Sequence, residues 1–68
     1  MIEVDDLICH SLNIVDPDTG QKLVATFAMR GRWELVGYTQ GLSEEKEKWL
    51  IQEAKKEMKK LFGRDSIL

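Results

Sequence analysis

The chain has one cysteine, one histidine and one proline among 68 residues, and each scarcity removes a class of protein. Cys9 alone cannot form an intramolecular disulfide, so a small core is not compensated by a covalent staple. With His10 as the single imidazole, no thiolate or imidazole cage for a structural metal can be assembled, and His10 with Asp5 or Asp6 matches no recognised ligand spacing. The reading therefore includes no metal and no cofactor. Long hydrophobic runs are also missing: no uninterrupted apolar stretch exceeds three residues, far short of the ~20 needed to span a bilayer. The first twenty residues contain no lysine or arginine, whereas a secretory leader would begin with basic residues. Together with a lone thiol, this gives the expectation of a cytoplasmic protein with no membrane partner.

What is present describes a small folded domain. Hydrophobic residues make up 43% and charged residues 32%, with a formal net charge of -2, a balance that supports a packed core rather than a disordered tail. A chain of this length allows one domain, residues 1–68, and buries only about 60% of its unfolded surface, so its margin of stability is narrow. The net charge conceals a gradient. Glu3, Asp5, Asp6, Asp16 and Asp18 give the first twenty residues a charge of -5, whereas residues 21–42 and 43–68 carry +2 and +1. Such asymmetry provides either internal complementarity or two surfaces with different partners. The four aspartates also permit a nucleic-acid mimic or inhibitor, on spacing alone.

The C-terminal third has the most explicit local code. Ser43 is an N-cap, Glu44 and Glu45 suit the positive end of a helix dipole, Lys59 and Lys60 suit the negative end, and Gly63 supplies the stop. Between them, Leu50, Ile51, Ala54, Met58, Leu61 and Phe62 fall within about 120° at 100° per residue, the stripe of an amphipathic helix. Residues 44–62 would extend roughly 28 Å.

Upstream the period changes to two. Ile8, His10, Leu12 and Ile14 alternate with Leu7, Cys9, Ser11, Asn13 and Val15, which predicts a strand. Asp16-Pro17-Asp18-Thr19-Gly20 then predicts a turn, because Pro17 presets φ, Asp16 can accept a bond from the backbone ahead of it, and Gly20 tolerates positive φ. Residues 21–30 alternate Leu23, Ala25, Phe27 and Met29 against Lys22, Val24, Thr26, Ala28 and Arg30. Gly31 suits a tight reversal into a third strand over 32–39, with Trp33, Leu35 and Gly37 on one face and Arg32, Glu34, Val36 and Tyr38 on the other.

The expected fold class is α+β: a three-stranded antiparallel β-meander followed by one long C-terminal amphipathic helix packed on one sheet face. The helix stripe is the one available cover, so the shared core is expected from Leu12, Ile14, Leu23, Phe27, Leu35, Leu50, Ala54, Met58 and Leu61. Register is not legible, which leaves open whether Trp33 or Tyr38 meets the helix.

Catalytic chemistry has little to work with. Cys9 and His10 are adjacent, and neighbours in a strand point to opposite faces, so they cannot act as nucleophile and base. The chain is therefore read as non-enzymatic. Its function is expected to be protein–protein interaction, as an adaptor or a homodimer, through the sheet face the helix leaves bare and through Trp49, which lies off the helix stripe. The candidate interface is Val24, Val36, Trp33, Tyr38 and Trp49, although Trp49 could instead lie along the sheet edge as a flank to the core. The alternative is nucleic-acid binding by Lys22, Arg30, Arg32 and Tyr38, which alternate along the strands so that they could share one face. A pI near 5.3 and the acidic helix start, Glu44-Glu45, oppose general phosphate affinity.

Overall fold

The computed structural model describes residues 8–68. Strands β1 (Cys9–Val15), β2 (Lys22–Arg30) and β3 (Arg32–Tyr38) form an antiparallel sheet in the order β1-β2-β3, and the helix α1 (Glu44–Phe62) follows. The meander and helix are those the periodicities predict.

The predicted local devices operate at each junction. In the first turn Asp16 Oδ1 accepts from the Asp18 amide at 2.9 Å, the Gly20 amide donates to the Asp16 carbonyl at 2.7 Å, and Gly20 adopts φ 76°. Gly31 takes φ 80° between the paired residues Arg30 and Arg32, giving the tight reversal there. Ser43 accepts from the Lys46 amide at 3.2 Å as N-cap, and Gly63 ends the helix at φ 93°.

Contacts at the two ends of α1 fix its direction. Lys46 reaches the turn after β1, while Phe62 packs against His10 near the start of β1, so the helix runs antiparallel to β1 over one face. Its buried residues, Leu50, Ala54 and Met58, are spaced by four and form a single line into the sheet. Ala54 and Met58 cluster with Ala25 and Phe27 of the central strand, with Leu12, Ile14, Met29 and Leu35 packed around them, and Leu23 and Leu50 are also fully buried. Leu61, expected in this core, is instead 56% exposed. It lies at the helix end, beyond the depth at which the sheet can cover that side of the stripe.

Two features were outside the sequence reading. First, the β2–β3 register shifts between Thr26 and Phe27: Thr26 pairs with Gly37 but Phe27 pairs with Leu35, so Val36 is an extra, bulged residue. One inserted residue reverses side-chain parity beyond it. Tyr38 is therefore carried to the same face as Trp33 and Leu35, opposite to the expected alternation. Second, after a short 3-10 turn (Arg64–Ser66), Ile67 forms a parallel bridge with Trp33, and the Leu68 amide donates to the Trp33 carbonyl at 2.9 Å. Ile67 is buried, and it closes the end of the core over Trp33.

Candidate interaction surface

The face of the sheet away from α1 is formed by the alternate residues of each strand. Cys9, Ser11, Asn13 and Val15 are exposed along β1, and Lys22, Val24 and Arg30 along β2. Ser11 and Thr26 meet across the strands, their hydroxyls 2.9 Å apart. Val24 and Val36, at 38% and 49% exposure, are the apolar members of the expected interface that reach solvent.

The other two sheet members of that expected interface are elsewhere. Trp33 is buried, its ring 4.9 Å from that of Phe62 at a 37° tilt and edge-on to His10 at 6.2 Å, so it belongs to the core under the helix end. Tyr38, turned by the bulge, is half-buried and donates its hydroxyl to Glu47 Oε2 at 2.8 Å. That bond to an ionised acceptor raises the Tyr38 pKa, with burial and the Glu47 charge acting in the same direction. The question of which aromatic faces the helix resolves to both.

Trp49 is half-buried at the flank, where the Lys46 ammonium sits 4.9 Å from its ring centroid. Lys46 also binds Asp16 Oδ1 at 2.9 Å and Asp18 Oδ2 at 2.8 Å, tying the helix to the first turn. These bonds raise the Lys46 pKa, Asp18 contributing first and Asp16 second, and the bond from Lys46 lowers that of Asp16. Pro17, Asp18, Ser43, Glu45, Lys46 and Trp49 line an open groove of about 460 Å³ at this corner. The aspartates suspected of mimicking nucleic acid, Asp16 and Asp18, are thus partnered by a cation, while Asp5 and Asp6 lie outside the described residues.

The basic constellation does not assemble. Lys22 and Arg30 share the open face but stand at opposite ends of β2, about 26 Å apart at strand rise. Arg30 pairs with Glu34 at 3.7 Å, Arg32 is exposed at the hairpin, and Tyr38 is on the other side of the sheet. Tyr38, the aromatic member of that constellation, is thus separated by the sheet from Lys22 and Arg30.

Cys9 and His10 point to opposite faces, as strand geometry requires: the thiol is exposed on the open face, and the imidazole packs edge-on to Phe62 at 5.5 Å. Among the described residues no group of three or more His, Cys, Asp or Glu side chains is placed to hold a metal ion, and no helix is long and apolar enough to cross a membrane. Comparison with protein-family models, with curated proteins and with solved structures finds no match to this chain.

The sequence reading did not find the bulge at Val36. A glycine one residue later, Gly37, was the available signal, since glycine within a strand often marks a bulge. Near that bulge, on the outer side of β3, Leu35, Val36, Gly37, Tyr38, Gln40 and Ile51 line a second open groove of about 350 Å³.

Proposed function

We propose that the chain is a non-enzymatic protein–protein interaction module whose contact surface is the open sheet face around Val24 and Val36, flanked by the Trp49 corner. The observation that carries this reading is that one helix covers one face of a three-stranded sheet, leaving valines on the other face in water. Every protein exposes some apolar area, but in a domain that can bury only about 60% of its surface a strand-borne valine pair is costly unless a partner covers it. The mixture around it, with Ser11, Asn13 and Thr26 among the valines and Arg30 at the rim, is suited to a non-obligate contact rather than a permanent dry interface. An exposed single thiol fits a reducing compartment, and the cytoplasm is the proposed setting.

The test is capture of cellular partners by the wild-type chain and by a Val24→Asp, Val36→Asp double variant. Because both side chains already face water, the variant is expected to keep its fold, verified by its thermal melt, and to lose the captured species. Undiminished capture by a folded variant would reject the open face as the contact surface. A titration with DNA and RNA at low salt addresses the alternative, since phosphate contacts are strongest there.

A further inference from the structure

We propose that the outer edge of β1 pairs antiparallel with β1 of a second copy of this chain, setting Leu12 against the second copy's Leu12 and joining two sheets into one. The inference rests on the module reading above and names a partner for it.

Backbone alternation identifies the groups that would bond. At its two ends the β1–β2 ladder is held by the Met29 amide donating to the Ile8 carbonyl and the Asp16 amide donating to the Gln21 carbonyl, at 2.9 and 2.8 Å. In an antiparallel pair, hydrogen-bonded residues alternate, so His10, Leu12 and Ile14 turn their amides and carbonyls toward β2. Cys9, Ser11, Asn13 and Val15 turn theirs outward, and among the described residues no backbone group pairs with them.

Edge strands are ordinarily blunted by charge, proline, bulges or a covering segment. The β3 edge has three such devices: Arg32 and Glu34, the Val36 bulge, and Ile67 bridged to Trp33. Among the described residues the β1 edge has none of them. Cys9–Val15 contains no proline, glycine, lysine, arginine or carboxylate, and its pairing with β2 runs without a shift. It is an intact template for strand addition.

A second copy fits that template through self-complementarity. With Leu12 on the two-fold axis, Cys9 faces the second copy's Val15 and Ser11 faces its Asn13, so every outward amide and carbonyl finds a partner. His10 faces the second copy's Ile14, and no like charges are opposed along the strand. Antiparallel pairing also sets opposite ends together: the acidic Asp16–Asp18 turn of one copy reaches the end of the sheet where the other carries Arg30 and Arg32. The axis is perpendicular to the sheet, so both helices lie on one face. Phe62, 40% exposed while packed on His10, then gains the second copy's Ile14 as a neighbour.

Sedimentation equilibrium of the purified chain over about 1 μM to 1 mM is expected to show a reversible dimer. Asn13→Pro removes one outward amide without touching the β2 ladder, and it is expected to give a folded monomer by circular dichroism. Independently, mild oxidation of Val15→Cys is expected to yield a covalent dimer linking Cys9 to the introduced thiol of the other copy. Within one chain these positions are about 20 Å apart and cannot bridge. Adding Cys9→Ser should abolish that product. A wild-type chain that stays monomeric throughout, a folded Asn13→Pro chain that still dimerises, or cross-linking solely between two Cys9 thiols would overturn the proposal. Should Asn13→Pro not fold, the Val15→Cys cross-link decides. A strictly monomeric chain whose partner capture is lost on Val24→Asp, Val36→Asp would reject the second copy while leaving the module reading intact.

Discussion

Lys46 and Asp16 are thirty positions apart in the chain and 2.9 Å apart in the fold, where the ammonium of the helix's first turn caps the carboxylate that organises the β1–β2 turn. Asp16 is nearly buried, at 4% exposure, and its carboxylate serves two donors of that corner, the Asp18 amide and the Lys46 ammonium. A single carboxylate thus joins the first turn of the sheet to the start of the helix.

Acid is expected to weaken this joint. The Lys46 bond, followed by the Asp18 amide, holds the Asp16 pKa below the ordinary carboxylate value, so its contribution is complete above that value and is lost as pH falls through the depressed one. Thermal melts between neutral pH and about pH 2 should show wild-type stability falling below about pH 4. Asp16→Asn should start lower at neutral pH and show a smaller acid loss. An identical acid dependence in both chains would remove Asp16 from the account.

At the alkaline end two groups act with the same sign. Lys46 and Tyr38 both have folded pKa values raised above their unfolded ones, the first chiefly by Asp18 and Asp16 and the second by the bond to Glu47. Each contribution is present below the unfolded pKa and disappears as pH rises through the folded one. A spectrophotometric titration should place the single tyrosine above the ordinary phenol range, and Glu47→Gln should move it back down.

The C-terminal return is expected to matter more than its length suggests. Ile67 closes the core over Trp33, and Ile67→Ala should cost about 2–4 kcal/mol by denaturant unfolding, a large share of a small domain's margin. The accompanying readout is a red shift of tryptophan fluorescence as Trp33 gains water. A loss below about 0.5 kcal/mol, typical of a surface change, would mean the tail is only lying on the surface.

Deleting Val36 offers a direct test of the bulge. Without the extra residue β3 continues in regular register, with Gly37 still opposite Thr26 and Tyr38 still opposite Ala25, so Tyr38 keeps the face it shares with Leu35. The expected outcome is a folded chain that keeps the Tyr38–Glu47 bond, read as a tyrosine pKa that stays raised. A fall of that value to the ordinary range in a folded deletion variant would show that β3 pairs with β2 in a different register.

Legibility differed from element to element for physical reasons. The turn at Asp16–Gly20, the cap at Ser43 and the stop at Gly63 depend on bonds to residues at most five positions away, so residue types alone disclose them. The candidate interface was legible only in part. Val24 and Val36 are exposed, which alternation anticipates for Val24 between the buried Leu23 and Ala25. Trp33 stands on the buried face with Leu35, as alternation has it, whereas Tyr38 departs from alternation because the shift at Val36 is set by how β3 pairs with β2.

By itself the sequence determined three alternating strands, an amphipathic helix and the turns between them, because period, capping and turn chemistry are local properties of the chain. It also determined that one helix had to cover one face. Tertiary structure decided the rest: the register shift that brings Tyr38 to Glu47, the return of Ile67 to Trp33, and the pairing of Lys46 with Asp16. Each of these is chosen by which side chains can be packed and bonded together once the sheet and helix meet, the last two between residues thirty or more positions apart.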